Sequence, residues 1–293
     1  MALNWKVFTQ RPYIASLSLE EQVRLFNIAN EKSIRLRESK FQDFSNSNST
    51  SQGAAGDGDT GVTPFTNTRS LNFDGSDDRV DAGVLSNLNG LTAFSFSLWF
   101  KRSAGSDRSS RFIFGNRDTS NSYRGIACQL GADSPSSLPT TVYIYGTNTS
   151  YAFFQFPANY FKALNVWHNL IITFDSSRTN VFIGYWNGGN AVSLPNNNAN
   201  PSNLASTGNF YVGDDQGVNF KGLIDEFSIF DKSLTAQEAS DIYNSGVATD
   251  ISSLSPLHWW RFEEGSGTTA IDAGSGGNNG TINGNTYSTV VPT

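Results

Sequence analysis

The chain of 293 residues contains a single cysteine, Cys128, so it cannot form an intrachain disulfide. Cys128 lies in a strand-like run, where we expect it to be a small buried hydrophobic side chain. Charged residues account for only 16% of the chain, and no cluster of lysine and arginine accompanies the net charge of −6. We therefore expect no nucleic-acid partner, because binding to the phosphate backbone needs a basic surface.

Long apolar runs are also missing. No stretch approaches the roughly 20 residues that a membrane-spanning helix requires. A secretion signal begins with a positively charged segment followed by an apolar one. The first residues of this sequence do not show that pattern. We therefore expect a soluble protein that has no membrane partner and no obvious secretion signal.

Aromatic residues, in contrast, are abundant: they make up 13% of the chain and include 22 phenylalanines. Large rings can supply a core where aliphatic residues are scarce. Residues 94–100 alternate strictly, with Phe94, Phe96, Leu98 and Phe100 on one face. The other predicted strands are 70–73, 79–82, 111–115, 124–130, 141–145, 151–156, 166–174, 181–186, 209–213 and 220–230. Many short strands joined by polar turns predict an all-β, two-sheet antiparallel jelly-roll sandwich.

The pattern changes after the last of these strands. Residues 220–230 alternate, and the segment Thr235-Ala236-Gln237-Glu238 that follows is a capping box. It predicts a short helix that ends near Gly246. The strand itself carries an acidic pair, Asp225 and Glu226, which we expect to be buried.

The N-terminal part differs from the rest in composition. Residues 1–44 are predicted to form an extended arm and an amphipathic helix, and residues 45–68 a flexible polar linker, since they hold almost no apolar side chain. The helix could fold back onto its own domain, but the linker favours contact with another protein or with copies of itself. The predicted anchoring residues are Trp5, Phe8, Tyr13, Val23, Phe26 and Ile34.

Four segments of residues 69–293 resemble the laminin G-like members of the concanavalin A-like lectin/glucanase superfamily. They are FDGSDDRVDAG at 73–83, AFSFSLWFKR at 93–102, VWHNLIITFD at 166–175, and the strand and helix of 220–246. Each motif is weak by itself, and their order and spacing carry the resemblance. It implies a concanavalin A-like jelly roll over residues 69–293.

The segment HWWRFEEGSGTTAIDAGSGGNNGTING at 258–284 resembles a motif that precedes the FDG strand in most family members. Its position at the C-terminus indicates either a circular permutation or the start of a second, truncated domain. Permutation is favoured because about 35 residues are too few for another sandwich, and termini on neighbouring strands exchange at little cost. This permuted arrangement resembles that of structural proteins of marine tailed bacteriophages.

The superfamily includes glucanases, but the sequence predicts no enzyme. A retaining glycosidase needs two carboxylates about 5–5.5 Å apart. The glucanases of the superfamily place them on one face of a strand with the spacing E-x-D-x-x-E, which this sequence does not contain. Asp225 and Glu226, like Glu263 and Glu264, are adjacent, so along a strand they would point to opposite faces. His168 and His258, the only histidines, lie among aromatic residues in strand patterns and are expected to be structural.

The resemblance also implies two kinds of site. A structural calcium ion would be held by Asp225, Asp272 and Asn278, unless Asp225 and Asp272 merely bond backbone N–H groups. A sugar would stack on exposed aromatic residues near strand ends, for which the candidates are Trp186, Tyr151, Tyr145 and Tyr123.

Taken together, the sequence predicts a non-enzymatic virion structural protein. Its partners would be other virion proteins, which the N-terminal arm would bind, and the favoured role is capsid decoration. The alternative is a tail or head fibre, or adhesin, that binds host-surface carbohydrate. A cellular carbohydrate-binding module is a third class, which is disfavoured because such a module would normally carry a secretion signal. The helix of the arm could also form a homo-oligomer.

Overall fold

A computed structural model describes the chain over residues 65–103, 111–118, 120, 122–131, 139–145, 151–157, 160–189, 192–193 and 203–293. The predicted arm, helix and most of the predicted linker, with all six anchoring residues, lie outside this part of the chain. None of the helices within it is long and apolar enough to cross a membrane.

Two antiparallel sheets form a sandwich, as the alternating segments predict. Eight strands of the first sheet are β1 (Ser70–Asp74), β3 (Ala93–Arg102), β8 (Trp167–Asp175), β9 (Phe182–Trp186), β10 (Val192–Ser193), β12 (Lys221–Phe230), β13 (His258–Trp260) and β16 (Thr286–Ser288). The second sheet contains β2 (Arg79–Asp81), β4 (Arg111–Gly115), β5 (Gly125–Leu130), β6 (Thr141–Tyr145), β7 (Tyr151–Gln155), β11 (Tyr211–Val212), β14 (Thr269–Ala270) and β15 (Gly280–Asn283). Every predicted strand is present, with ends within two residues of the prediction.

The strand order runs β10-β9-β8-β3-β12-β1-β16 in the first sheet and β14-β15-β2-β11-β4-β5-β6-β7 in the second. Strand β13 pairs with β12 beside β1, so β1 and β13 share one edge of β12. The C-terminal segment therefore contributes β13 and β16 to the first sheet and β14 and β15 to the second. It completes this sandwich.

The core between the sheets is rich in aromatic rings. Phe96 of β3 stacks on Phe114 of β4, with ring centroids 4.8 Å apart, and Phe227 of β12 packs edge-on against the same ring at 5.4 Å. All three side chains are buried, as is Cys128, so the expected burial of that thiol is confirmed. A fully buried phenylalanine contributes about 1.5–3 kcal/mol, which explains how a chain poor in aliphatic residues builds a core.

Helix α1 (Ala236–Tyr243) lies on the outer face of the first sheet. Its predicted capping box is present: Glu238 N–H donates to Thr235 Oγ1 at 3.2 Å, and Thr235 N–H donates to Glu238 Oε2 at 2.7 Å. The helix ends at Tyr243, three residues before Gly246, because Asn244 adopts a left-handed conformation with φ 42°. Short 3₁₀ turns occupy Ser86–Leu88, Asn244–Gly246 and Ser252–Leu254.

A β-bulge in β12 corrects one prediction. The register between β12 and β3 shifts between Asp225 and Ser228, and Glu226 has φ 48°. Because a bulge interrupts the alternation of side chains, Asp225 and Glu226 do not point to opposite faces. Ile224 and Phe227 face the core on either side of the pair, while both carboxylates lie on the outer side, under residues 65–69 and 259–263.

Candidate ligand-binding face

The outer face of the second sheet carries an arginine surrounded by aromatic rings. The Arg117 guanidinium lies 4.6 Å from the ring centroid of Phe112, 5.9 Å from that of Tyr123 and 5.8 Å from that of Tyr143. Tyr143 in turn donates its hydroxyl hydrogen to Gln129 Oε1 at 3.1 Å. We call Phe112, Arg117, Tyr123, Gln129, Tyr143 and Tyr145 the tyrosine–arginine patch.

A buried carboxylate fixes Arg117 in this position. Asp215 Oδ2 accepts from Arg117 Nε at 2.7 Å and lies 2.5 Å from its NH2 group. Burial raises the pKa of Asp215 to about 6, although the charge and hydrogen bonds of Arg117 act in the opposite direction. Gly115 leaves the space that this carboxylate needs, since a Cβ atom there would collide with the Asp215 side chain.

A cavity of about 340 Å³ opens beside the patch. Its walls include Arg79, Arg117, Asp118, Asn209, Tyr211 and Asp214. The Arg79 guanidinium lies over the Tyr211 ring, 5.3 Å from its centroid, so the cavity combines an aromatic wall with charged and amide groups. Its size falls in the range of small-molecule sites, which are about 300–1,000 Å³.

Of the predicted sugar-stacking residues, two lie in the patch. Tyr123 is 48% exposed, and its ring centroid is 6.3 Å from that of Tyr145. The backbone of Tyr151 pairs with Tyr145 at the end of β6 and β7. Trp186 lies apart from them, in β9 of the first sheet, where it packs on Tyr160 and donates its indole hydrogen to His168 Nδ1 at 3.2 Å.

The outer face of the first sheet carries an adjacent pair of buried carboxylates, Asp225 and Glu226. Trp259 donates its indole hydrogen to Glu226 Oε2 at 2.6 Å, and Arg261 Nε donates to Oε1 at 3.2 Å. Burial raises the pKa of Glu226 to about 7, against the opposing effect of Arg261. The pKa of Asp225 is raised well above its usual range, first by burial and then by the neighbouring Glu226 charge.

Residues 65–69 cover these carboxylates. All of them except Arg69 belong to the predicted linker. Asn67 Nδ2 donates to Asp225 Oδ2 at 3.0 Å, and Glu263 accepts from the backbone N–H groups of Thr68 and Arg69 at 2.9 Å each. Phe65 stacks on Trp259, with centroids 6.4 Å apart. The sandwich therefore extends to Phe65 at this end.

Two of the three predicted calcium ligands, Asp272 and Asn278, are joined by a hydrogen bond. Asp272 accepts hydrogen bonds from the backbone N–H groups of Trp259, Gly274 and Asn278 at 2.8–2.9 Å and pairs with His258 Nδ1 at 2.7 Å. These hydrogen bonds hold the pKa of Asp272 below its usual value despite burial. Within the described ranges, no hydrogen bond joins Asp225 to Asp272 or Asn278.

A comparison with known protein families assigns this chain to a superfamily with the same kind of fold. The chain matches the Concanavalin A-like lectin/glucanases superfamily over residues 74–240, more than half its length, and it belongs to that superfamily. No curated protein matches the sequence.

Solved structures show the same architecture at low identity. A candidate carbohydrate-binding protein from Bacteroides ovatus is 17% identical, with a TM-score of 0.52, over 78% of this chain and 61% of that one. The CBM40 domain of the Ruminococcus gnavus IT-sialidase is 12% identical, with a TM-score of 0.46, over 59% of this chain and 96% of the domain. This chain thus spans about three-fifths of the Bacteroides protein.

Sequence reasoning missed several members of the patch and cavity. Alternation along β6 could have placed Tyr143 on the same face as Tyr145, since they are two residues apart. The contact of Arg117 with Asp215, 98 positions later, has no local sequence signal. It depends on β4 and β11 being neighbours in the sheet.

Proposed function

We propose that this chain is a non-enzymatic carbohydrate-binding module that holds its ligand on the tyrosine–arginine patch and in the adjoining cavity. The observation that carries the proposal is the cavity itself, which places amide, carboxylate and guanidinium groups next to the half-buried ring of Tyr211 and close to the exposed ring of Tyr123. A sugar presents hydroxyl groups and apolar C–H faces. Hydrogen-bonding side chains and aromatic rings match these two features.

The position of the buried acidic pair supports binding without catalysis. Asp225 is fully buried and Glu226 is 5% exposed, beneath Trp259 and residues 65–69. A glycosidic bond would have to reach both groups for acid–base chemistry. The similarity to a candidate carbohydrate-binding protein supports the same reading at the level of the fold.

The test is a glycan array probed with the full chain, followed by calorimetry with the best ligand. We expect Tyr123→Ala to weaken binding about tenfold or more, the effect of losing a central aromatic contact. The matched control is Val166→Ala, because Val166 has a similar exposure of 46% and lies outside the patch. Equal affinities of the two variants would contradict the proposal, as would release of a hydrolysis product from the bound glycan.

We further propose that the module is displayed on a virion, most simply as a capsid decoration protein anchored by residues 1–44, and that a tail or head fibre is the alternative. The support is that the C-terminal strands β13 and β16 pair with β12 and β1 of this sandwich, as expected for the permutation inferred from the sequence, together with the amphipathic pattern of residues 18–44.

Rebinding to stripped particles tests this second proposal. The full chain should rebind in many copies, whereas residues 61–293, which retain the contacts of residues 65–69, should not. Rebinding of both chains would contradict anchoring by the N-terminal arm. Rebinding of the full chain in few copies, at a vertex or at the tail, would favour the alternative role of a fibre.

A further inference from the structure

Two side chains in the wall of the cavity each hold a buried polar atom that has no hydrogen-bond partner among the described residues. Asp214 is 3% exposed, and its unpaired atom is Oδ1. In Arg79 the unpaired atom is Nε. Both residues line the cavity. Because a buried polar atom without a partner is costly, a ligand that pairs with both atoms gains affinity.

The two side chains lie next to each other. Arg79 Nη1 is 4.0 Å from Asp214 Oδ2, and the guanidinium lies over the ring of Tyr211. The carboxylate oxygen needs a hydrogen-bond donor, whereas the Nε–H group needs an acceptor. A hydroxyl group is both donor and acceptor, but a carboxylate only accepts and an ammonium group only donates. Two adjacent hydroxyl groups on one sugar ring therefore match this pair of side chains.

The charges around the cavity disfavour an acidic ligand. The Arg117 guanidinium is already paired with Asp215 at 2.5 Å, and Arg79 faces Asp214. Asp118 adds a third carboxylate, so carboxylates outnumber the two guanidinium groups. Burial raises the pKa of Asp214, against the opposing effects of Arg79 and of nearby backbone N–H groups. A carboxylate on the ligand would meet this excess of negative charge, and like charges brought together at an interface repel strongly.

We propose that Asp214 and Arg79 bind two adjacent hydroxyl groups of an uncharged sugar, and that Asp214 makes the cavity reject acidic sugars. The inference rests on the proposed carbohydrate-binding function, and it names the class of sugar and the residues that select it. The ring of Tyr123 contributes affinity for any sugar, whereas Asp214 decides between neutral and acidic ones.

The experiment compares the affinity of the full chain for neutral and acidic oligosaccharides that differ only at C6. The probes are oligosaccharides of glucose, galactose and mannose, each paired with the corresponding uronic acid, and calorimetry gives the affinities. We expect the neutral member of a bound pair to bind at least about tenfold more tightly. Asp214→Asn keeps the shape of the side chain and removes its charge, so it should reduce this preference to about threefold or less.

The matched control is Asp231→Asn, which removes one charge from an exposed aspartate just after β12 and should leave the preference unchanged. A second variant, Arg79→Lys, keeps the positive charge and removes the Nε–H group. It should weaken both members of a pair by a similar factor of about ten. The Arg79 side chain is 39% exposed, so this variant leaves the core intact, and an unchanged Tm checks its folding.

Equal or tighter binding of the acidic members by the wild-type chain would overturn this inference and leave the proposed function standing. A preference that Asp214→Asn does not change would also overturn it, because another group would then select the sugar. Binding to none of the pairs would overturn it as well, and a glycan array without any ligand would overturn the proposed function with it.

Discussion

The two outer faces of the sandwich are built from similar strands but are covered differently. Helix α1, Trp259 and Phe65 cover part of the first sheet. Asn67 and Trp259 bond the buried carboxylates of Asp225 and Glu226. On the second sheet, the described residues leave a cavity next to exposed Tyr123, and the buried charge there, Asp215, is paired with Arg117. We propose that the first face serves stability and that the second binds the ligand. The predictions below test that division.

The largest effect should follow removal of the ring that closes the first face. Trp259 is 5% exposed, stacks on Phe65 and donates its indole hydrogen to Glu226. We expect Trp259→Ala to lower the free energy of unfolding by about 3–5 kcal/mol, measured by chemical denaturation. Trp259→Phe, which keeps a ring but not the hydrogen bond, should lose less. A loss below about 1 kcal/mol for Trp259→Ala would show that the first face is not closed by this residue.

The pH dependence of stability should report the buried carboxylates. Glu226 has a pKa of about 7 in the folded state and about 4.5 when unfolded, so the folded state binds more protons between these values. Its contribution is fully present below about pH 4.5 and is lost as pH rises through about 7. The loss is at most on the order of 3 kcal/mol, and the raised pKa values of Asp225 and Asp215 act in the same direction.

Glu226→Gln should therefore flatten the curve of unfolding free energy against pH between about 4.5 and 7. Chemical denaturation at several pH values measures this slope. The control is Glu264→Gln, because Glu264 makes no described contact with the buried pair and instead accepts hydrogen bonds from Ile271 N–H and from the Tyr287 hydroxyl. Identical slopes for wild type and Glu226→Gln would mean that Glu226 is not buried in its neutral form at low pH.

A smaller effect is expected from the cap of α1, the helix that covers the first sheet. Thr235→Ala removes the side-chain oxygen that accepts from Glu238 N–H, and it should cost about 1 kcal/mol of unfolding free energy. Thr235→Ser keeps the oxygen and should cost much less. If both variants are equally unstable, the capping bond is not the cause.

The smallest effect on stability is predicted for the second face. Tyr123→Ala removes a half-exposed ring, and the free energy of unfolding should change by no more than about 0.5 kcal/mol. Denaturation under the conditions used for Trp259→Ala gives a direct comparison of the two faces. A loss of several kcal/mol would instead make Tyr123 part of the structural framework, and its effect on glycan binding would then be indirect.

Local patterns predicted much of this fold. Alternation located the strands of residues 70–230, and the Thr235–Glu238 box located α1, because both depend on neighbours within a few residues. The site was predicted less completely. Tyr123 and Tyr145 lie in the patch, but Trp186 packs beside His168 in the first sheet, since exposure depends on what the rest of the chain places over a ring.

The sequence by itself determined the class of this protein: an aromatic-rich antiparallel jelly roll of the concanavalin A-like superfamily, whose periodicities and motifs lie within short stretches. Only the tertiary structure decided how its charges are used. The bulge after Asp225 turned two adjacent carboxylates to one side, and the pairing of β4 with β11 brought Arg117 to Asp215. Both outcomes depend on contacts between residues distant in sequence, which no local pattern encodes.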